Sequence, residues 1–301
     1  MPTPELIVAP LTPFNDRLEV DVKSLKKQID YIIDDCKATM IVAAGVETQE
    51  YTYLSMEARK SLIRQTIECV EERAPVMVGV SHASVHTSVE LAQFAERFGA
   101  KAIQALAPLR PFAGAPTRDD LVAYYEMIGA GTSLPITLYL NPGPGADVSV
   151  PDTIALSKLP CIKYIKESSR DMTRVGRLIV EIDLAGHARY FTTMQMLLPT
   201  LMLGGSGATM PPPGCEIARA IIDACAAGDF RKAAEAQKDF TLFPARWMHR
   251  GLAPAMKAAM KLIGLDAGAP YPPYQALTPE EMQGMEQVFR KSTLAPRLGK
   301  S

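Results

Sequence analysis

Leu134-Pro-Ile-Thr-Leu-Tyr-Leu-Asn-Pro142 and Cys161-Ile-Lys-Tyr-Ile-Lys-Glu-Ser-Ser169 are short runs of β-branched, aromatic and other apolar residues that end in polar or turn-forming ones. Their length and composition mark strands, because branched side chains fit a pleated surface and helices need longer periodic runs. Working outward, similar runs recur at Ile7–Ala9, Met40–Ala43, Val76–Gly79, Ala102–Ala105, Tyr190–Thr192 and Gly207–Met210, which with Ile136–Tyr139 and Ile162–Lys166 makes eight. Between them lie helical patterns with apolar residues three and four apart, such as Leu25, Ile29, Ile32 and Ile33, or Val89, Leu91, Ala92 and Phe94. Asp21, Ser55 and Thr117 stand where helix N-caps belong, since their side-chain oxygens can accept orphan amide bonds.

Strand and helix alternating in this way predict an α/β fold, a (β/α)8 TIM barrel over residues 1–227, with a doubly wound open sheet as the competing arrangement. Over residues 228–301 the strand signals stop. Asp229–Leu242, Leu252–Ile263 and Pro279–Phe289 read as helices, a C-terminal three-helix appendage. The connector Asp266-Ala-Gly-Ala-Pro-Tyr-Pro-Pro-Tyr274 is proline-rich and is expected to be extended and stiff.

With 301 residues, 48% of them hydrophobic and 22% charged, the chain can bury a sizeable core. Its 32 basic and 33 acidic residues leave a net charge of −1, so no long-range field draws it to nucleic acid or an anionic membrane, and small molecules are the expected partners. The start, Met-Pro-Thr-Pro-Glu-Leu-Ile-Val, lacks a basic segment leading into an apolar one, and no apolar span is long enough to cross a bilayer; a cytoplasmic protein is expected. The five cysteines are widely spaced and read as reduced thiols. His82 and His86 stand four apart without a carboxylate at ligand spacing, so no metal site is predicted. Gly204-Gly-Ser-Gly207 leads into a strand, not a helix, and no phosphate-loop motif occurs, so no nucleotide cofactor is predicted.

In such barrels the reacting groups sit where strands end. Lys166 closes its run, and alternation places Ile162, Tyr164 and Lys166 on one face with Lys163 and Ile165 on the other. A lysine directed into the barrel is costly to keep charged, and a neutral amine attacks ketone carbons. Alternation alone leaves Lys166 equally readable as a structural lysine paired with a carboxylate. Tyr139, closing the preceding run, either packs or relays protons for Lys166. Thr12 and Ser168 either line the pocket or cap and connect.

Four landmarks in order give the chain a family resemblance: Leu11-Thr-Pro-Phe14, Leu134-Pro-Ile-Thr-Leu-Tyr139, Ile162-Lys-Tyr-Ile-Lys-Glu-Ser168 and Gly204-Gly-Ser-Gly207, followed by Lys257 and Gly264 in a K-x-x-x-x-x-x-G pattern. Together they resemble the dihydrodipicolinate synthase and N-acetylneuraminate lyase family over nearly the whole chain. The resemblance implies a class I mechanism with no metal or cofactor, in which Lys166 forms a Schiff base with a 2-oxo acid and Tyr139 shuttles protons. It also implies a homotetramer built as a dimer of dimers.

Three departures narrow this expectation. Where the family carries G-T-T-G-E, whose hydroxyl and amides hold the oxo-acid carboxylate, this chain reads Gly45-Val-Glu-Thr-Gln-Glu50. Counting back from Leu54-Ser55 aligns Glu50 with the family glutamate and Thr48 with its second threonine. Glu47 then replaces the first threonine and must either face outward or meet a different part of the substrate, since it would repel a carboxylate. Amides near Thr48 can still receive the carboxylate, and Gly207 is the remaining glycine assigned to substrate binding. The synthase's arginine after the tyrosine strand is absent from Pro142-Gly-Pro-Gly-Ala146, and the loop that carries its intersubunit aromatic residue reads Pro108-Leu-Arg-Pro-Phe112. There Arg110 is available to an anionic substrate or to a subunit contact. The expected function is therefore a lyase, a pyruvate-type aldolase or a 2-keto-3-deoxy sugar acid dehydratase, and not a true synthase of the lysine pathway. The alternative is a non-catalytic barrel that binds a metabolite or serves as a scaffold, against which the retention of Lys166 and Tyr139 argues.

Overall fold

Strands form where apolar β-branched runs predict them: β1 (Glu5–Val8), β2 (Met40–Ala43), β3 (Val76–Gly79), β4 (Ala102–Leu106), β5 (Ile136–Leu140), β6 (Ile162–Glu167), β7 (Arg189–Thr192) and β8 (Gly207–Met210). They hydrogen-bond in chain order into a closed barrel, which excludes the open sheet. The structure is a computed structural model and describes residues 3–109, 115–142 and 146–299. β2, β3, β5 and β8 are buried at every residue, as strands covered on both faces must be.

The three expected N-caps are all made. Asp21 accepts from the amides of Lys23 and Ser24, Ser55 from Ala58, and Thr117 forms a reciprocal capping box with Asp120. The helices Val22–Asp30 and Met172–Leu178 each continue into a wider turn, in which Cys36 N donates to Tyr31 O and Leu184 N to Ile179 O.

The contacts divide the chain into two compact units, residues 1–5 with 75–209 and residues 6–74 with 210–301. In the first, β5 pairs with β6 through Ile136 and Ile162 and then through Thr137 and Tyr164, so Lys163 is passed over as a bulge. The extra residue turns Ile162 to the face opposite Tyr164 and Lys166, which corrects the simple alternation expected from sequence. Lys163 is exposed and Lys166 buried.

In the second unit the C-terminal helices depart from the expected three. The first is interrupted, as Phe230–Gln237 and Asp239–Leu242, where Thr241 N donates to Lys238 O in a tighter turn and the Asp239 carboxylate receives the amide and hydroxyl of Thr293. A short turn, Ala245–Arg250, then precedes the helices Leu252–Leu262 and Pro279–Phe289. The connector is free of helix as predicted but not extended throughout, since Tyr274 N donates to Tyr271 O at 3.1 Å and closes a turn at its end. Tyr271 packs edge-on against Phe14 and stacks on Tyr53, each at 5.0 Å between ring centres.

Candidate active site

Tyr139 and Lys166 are direct partners in the β5–β6 register, so their side chains leave adjacent strands on the same face. Lys166 Nζ donates to Tyr139 Oη at 2.8 Å and to Ser168 Oγ at 2.6 Å, and lies 4.3 Å from the centre of the Tyr139 ring. Lys166 is 3% and Tyr139 5% exposed. Ser168, left by the sequence between lining the pocket and a capping or connecting role, thus contacts the amine directly. Two hydroxyls hold the amine in the barrel.

Glu167, one residue on, faces the surrounding helices. Its carboxylate is fully buried, pairs with Arg174 Nε and accepts from Tyr190 Oη at 2.9 Å. Arg174 Nη2 also donates to Val148 O at 2.6 Å, which ties the segment after β5 to the helix after β6. Burial pushes the Glu167 carboxyl above its ordinary range, with Arg174 opposing it; burial and then the Glu167 charge raise the Tyr190 phenol. Sequence reading missed this triad, because Arg174 and Tyr190 carry no local signal of a buried acid on the neighbouring strand.

The segment after β2 belongs to the second unit. Glu50 is 1% exposed; its Oε2 accepts from Thr12 N at 2.8 Å, its Oε1 lies 3.1 Å from Lys257 Nζ, and the Thr48 hydroxyl also binds it. Lys257 further donates to Thr12 O at 2.8 Å and Ala269 O at 3.0 Å. Burial raises the Glu50 carboxyl and lowers the Lys257 ammonium, each against the attraction of the other. Glu47 is buried, which removes the outward-facing alternative, and its Oε2 lies 2.7 Å from the place a Cβ on Gly45 would take. Gln49, where the family carries glycine, holds φ 57° in the left-handed region.

The remaining candidates fall elsewhere. Gly207 opens β8, the strand end opposite to that at which Lys166 stands on β6; its φ is 146°, and a Cβ there would collide with the Glu5 carbonyl, so close backbone packing accounts for the glycine. Arg110 lies outside the described residues. His82 Nδ1 accepts from Ser84 N, and among the described residues no cluster of three His, Cys, Asp or Glu side chains is arranged to hold a metal ion. Nor, among them, is any helix long and apolar enough to cross a membrane.

The protein is thus a closed (β/α)8 barrel with a buried lysine near the end of its sixth strand, hydrogen-bonded to a tyrosine from the fifth. The sequence pattern of the dihydrodipicolinate synthetase family matches residues 3–292, and the chain belongs to that family. It is 27% identical over 293 residues to the 4-hydroxy-tetrahydrodipicolinate synthase of Moorella thermoacetica, covering 96% of this chain and 98% of that one. Among solved structures it resembles the dihydrodipicolinate synthase DapA-2 of Bacillus anthracis, with a TM-score of 0.85, 25% identity, and 96% and 98% of the two chains covered. The fold is shared as well with YagE of E. coli K12, a prophage protein of the dihydrodipicolinic acid synthase family solved in complex with pyruvate, at a TM-score of 0.86, 22% identity, and 97% and 99% coverage.

Proposed function

We propose that this protein is a class I lyase in which Lys166 forms a Schiff base with a small 2-oxo acid, acting as a pyruvate-type aldolase or a 2-keto-3-deoxy sugar acid dehydratase and not as a true dihydrodipicolinate synthase. The observation that carries the reading is the buried contact of Lys166 Nζ with Tyr139 Oη at 2.8 Å. In this scheme the neutral amine adds to the keto carbon, and the resulting carbinolamine loses water as the Tyr139 phenol donates a proton to the departing hydroxyl. The protonated imine then accepts the electron pair released at the adjacent carbon. That pair comes from a broken carbon–carbon bond in an aldolase, or from a lost proton followed by departure of hydroxide in a dehydratase. Ser168 holds the amine in place between these steps. Thr48 keeps the carboxylate-holding role that the family resemblance gives its amide, with Glu47 meeting a different part of the substrate. A homotetramer, arranged as a dimer of dimers, is the proposed assembly.

Borohydride trapping tests the reading. The protein is incubated with pyruvate and a panel of 2-oxo acids, reduced, and weighed intact and after digestion. An adduct on Lys166 that is lost in Lys166→Ala is the expected result. Absence of any adduct from folded protein would sink the lyase and leave the altered Gly45–Glu50 segment as the mark of a metabolite-binding or scaffold protein.

A further inference from the structure

Arg170 follows the site residues closely in the chain, and its guanidinium turns back toward them. Nη1 donates to Ser168 O at 3.1 Å, and the hydroxyl of the same serine is the one that meets Lys166 Nζ at 2.6 Å. The residue as a whole is exposed, and its contact with Ser168 O lies at the surface. Burial of part of its head lowers its affinity for a proton, an effect that Tyr139 opposes, which puts the cation within electrostatic reach of the phenol.

This cation has no carboxylate partner among the described residues. The nearby acids are engaged elsewhere: Glu167 with Arg174 and Tyr190, and Asp171 with the amides of Thr173 and Arg174 at its helix start. The segments outside the description at 110–114 and 143–145 contain no Asp or Glu. A guanidinium that is hydrogen-bonded to Ser168 O and has no carboxylate partner among the described residues keeps further donors for an anion, and its planar fork matches a carboxylate. A single arginine matches one negative charge, whereas a phosphate brings nearly two.

We propose that Arg170 is the specificity-determining residue of this site and binds a second carboxylate, carried by the substrate at the end remote from its 2-oxo acid. The proposal rests on the Schiff-base reading above and adds the substrate class, a 2-oxo dicarboxylic acid or its aldol adduct.

The test compares oxo acids of equal length that differ only at the far end: 2-oxoglutarate against 2-oxovalerate, and 2-oxoadipate against 2-oxohexanoate. For each, the concentration giving half-maximal borohydride labelling of Lys166 is measured in the unaltered protein, Arg170→Gln and Arg170→Lys. The unaltered protein should favour the diacid of at least one pair. Arg170→Gln should cut that preference about tenfold, the factor one charge-assisted pair supplies, and Arg170→Lys should retain part of it as a point charge. Equal preference in all three proteins, or no preference for a diacid in the unaltered one, overturns the assignment. So does a loss that falls equally on both members of a pair, which marks a merely structural arginine. If Arg170→Gln fails to fold, Arg170→Lys decides by the same ratio. No labelling at all in the unaltered protein instead brings down the Schiff base and Arg170's role with it.

Discussion

Lys166 and Glu167 are neighbours in the chain with opposite duties, because a strand turns successive side chains to opposite faces. The amine enters the polar setting of Tyr139 and Ser168, while the carboxylate is locked among helices by Arg174 and Tyr190. Removing one partner of a buried ion pair leaves the other charge stranded, so Arg174→Met is expected to cost about 3–5 kcal/mol at neutral pH. Its pH dependence follows from the direction in which burial moves Glu167. With Arg174 gone only the Tyr190 hydrogen bond and the Lys166 charge still oppose burial, and the folded-state pKa stands further above the unfolded value. The folded protein then binds more protons than the unfolded chain across that interval, so stability falls as pH rises through it and is regained below it. Thermal unfolding of Arg174→Met between neutral pH and pH 4 checks this: the deficit against the unaltered protein should shrink as the pH is lowered. A deficit independent of pH would mean that packing, not the stranded charge, is what Arg174 supplies.

At the scale of elements, Lys257 connects the C-terminal helix Leu252–Leu262 to the segments after β1 and β2 through Thr12 and Glu50. Burial works against both charges of this pair, so it is expensive to break and cheap to replace as a unit. Lys257→Met alone should destabilise by about 3–5 kcal/mol, and the double variant Lys257→Met, Glu50→Gln should recover a substantial part of that loss in urea unfolding. Additive losses would show that the two residues act separately. Such a link is invisible to local sequence reading, which finds Glu50 and Lys257 as isolated landmarks because nothing in the intervening chain reports that they meet. Strands and caps were legible for the converse reason: Met40–Ala43 and the Thr117 capping box are specified by residues within a few positions of one another. The bulge at Lys163 left no trace, since one inserted residue alters register without altering composition. Lys166 and Tyr139 were readable as strand-end residues, but it took the register between β5 and β6 to bring them within hydrogen-bonding distance.

For the whole molecule, assembly draws on the surface of the first unit. Val180, Leu184 and Met202 are 56%, 59% and 65% exposed, on the turn after the helix Met172–Leu178 and on the helix Leu197–Met202. Those two segments are neighbours, since a Cβ on Gly205 would lie 3.3 Å from Ile179 Cδ1 and one on Gly176 would lie 3.7 Å from Leu203 Cδ1. Large apolar side chains exposed on neighbouring segments gain by being covered where they share a face, whereas scattered single ones need no partner. The near balance of 32 basic and 33 acidic residues opposes association of like chains only weakly. If this face joins two dimers into the proposed tetramer, Val180→Glu with Met202→Glu would place a like-charged, desolvated cluster at the contact and split the assembly. Sedimentation equilibrium at micromolar concentration should then move from four chain masses to two, with the circular dichroism of the folded chain retained. A tetramer that survives both substitutions assigns its contacts to other surfaces, and an unaltered protein that sediments as a single chain refutes the proposed assembly itself.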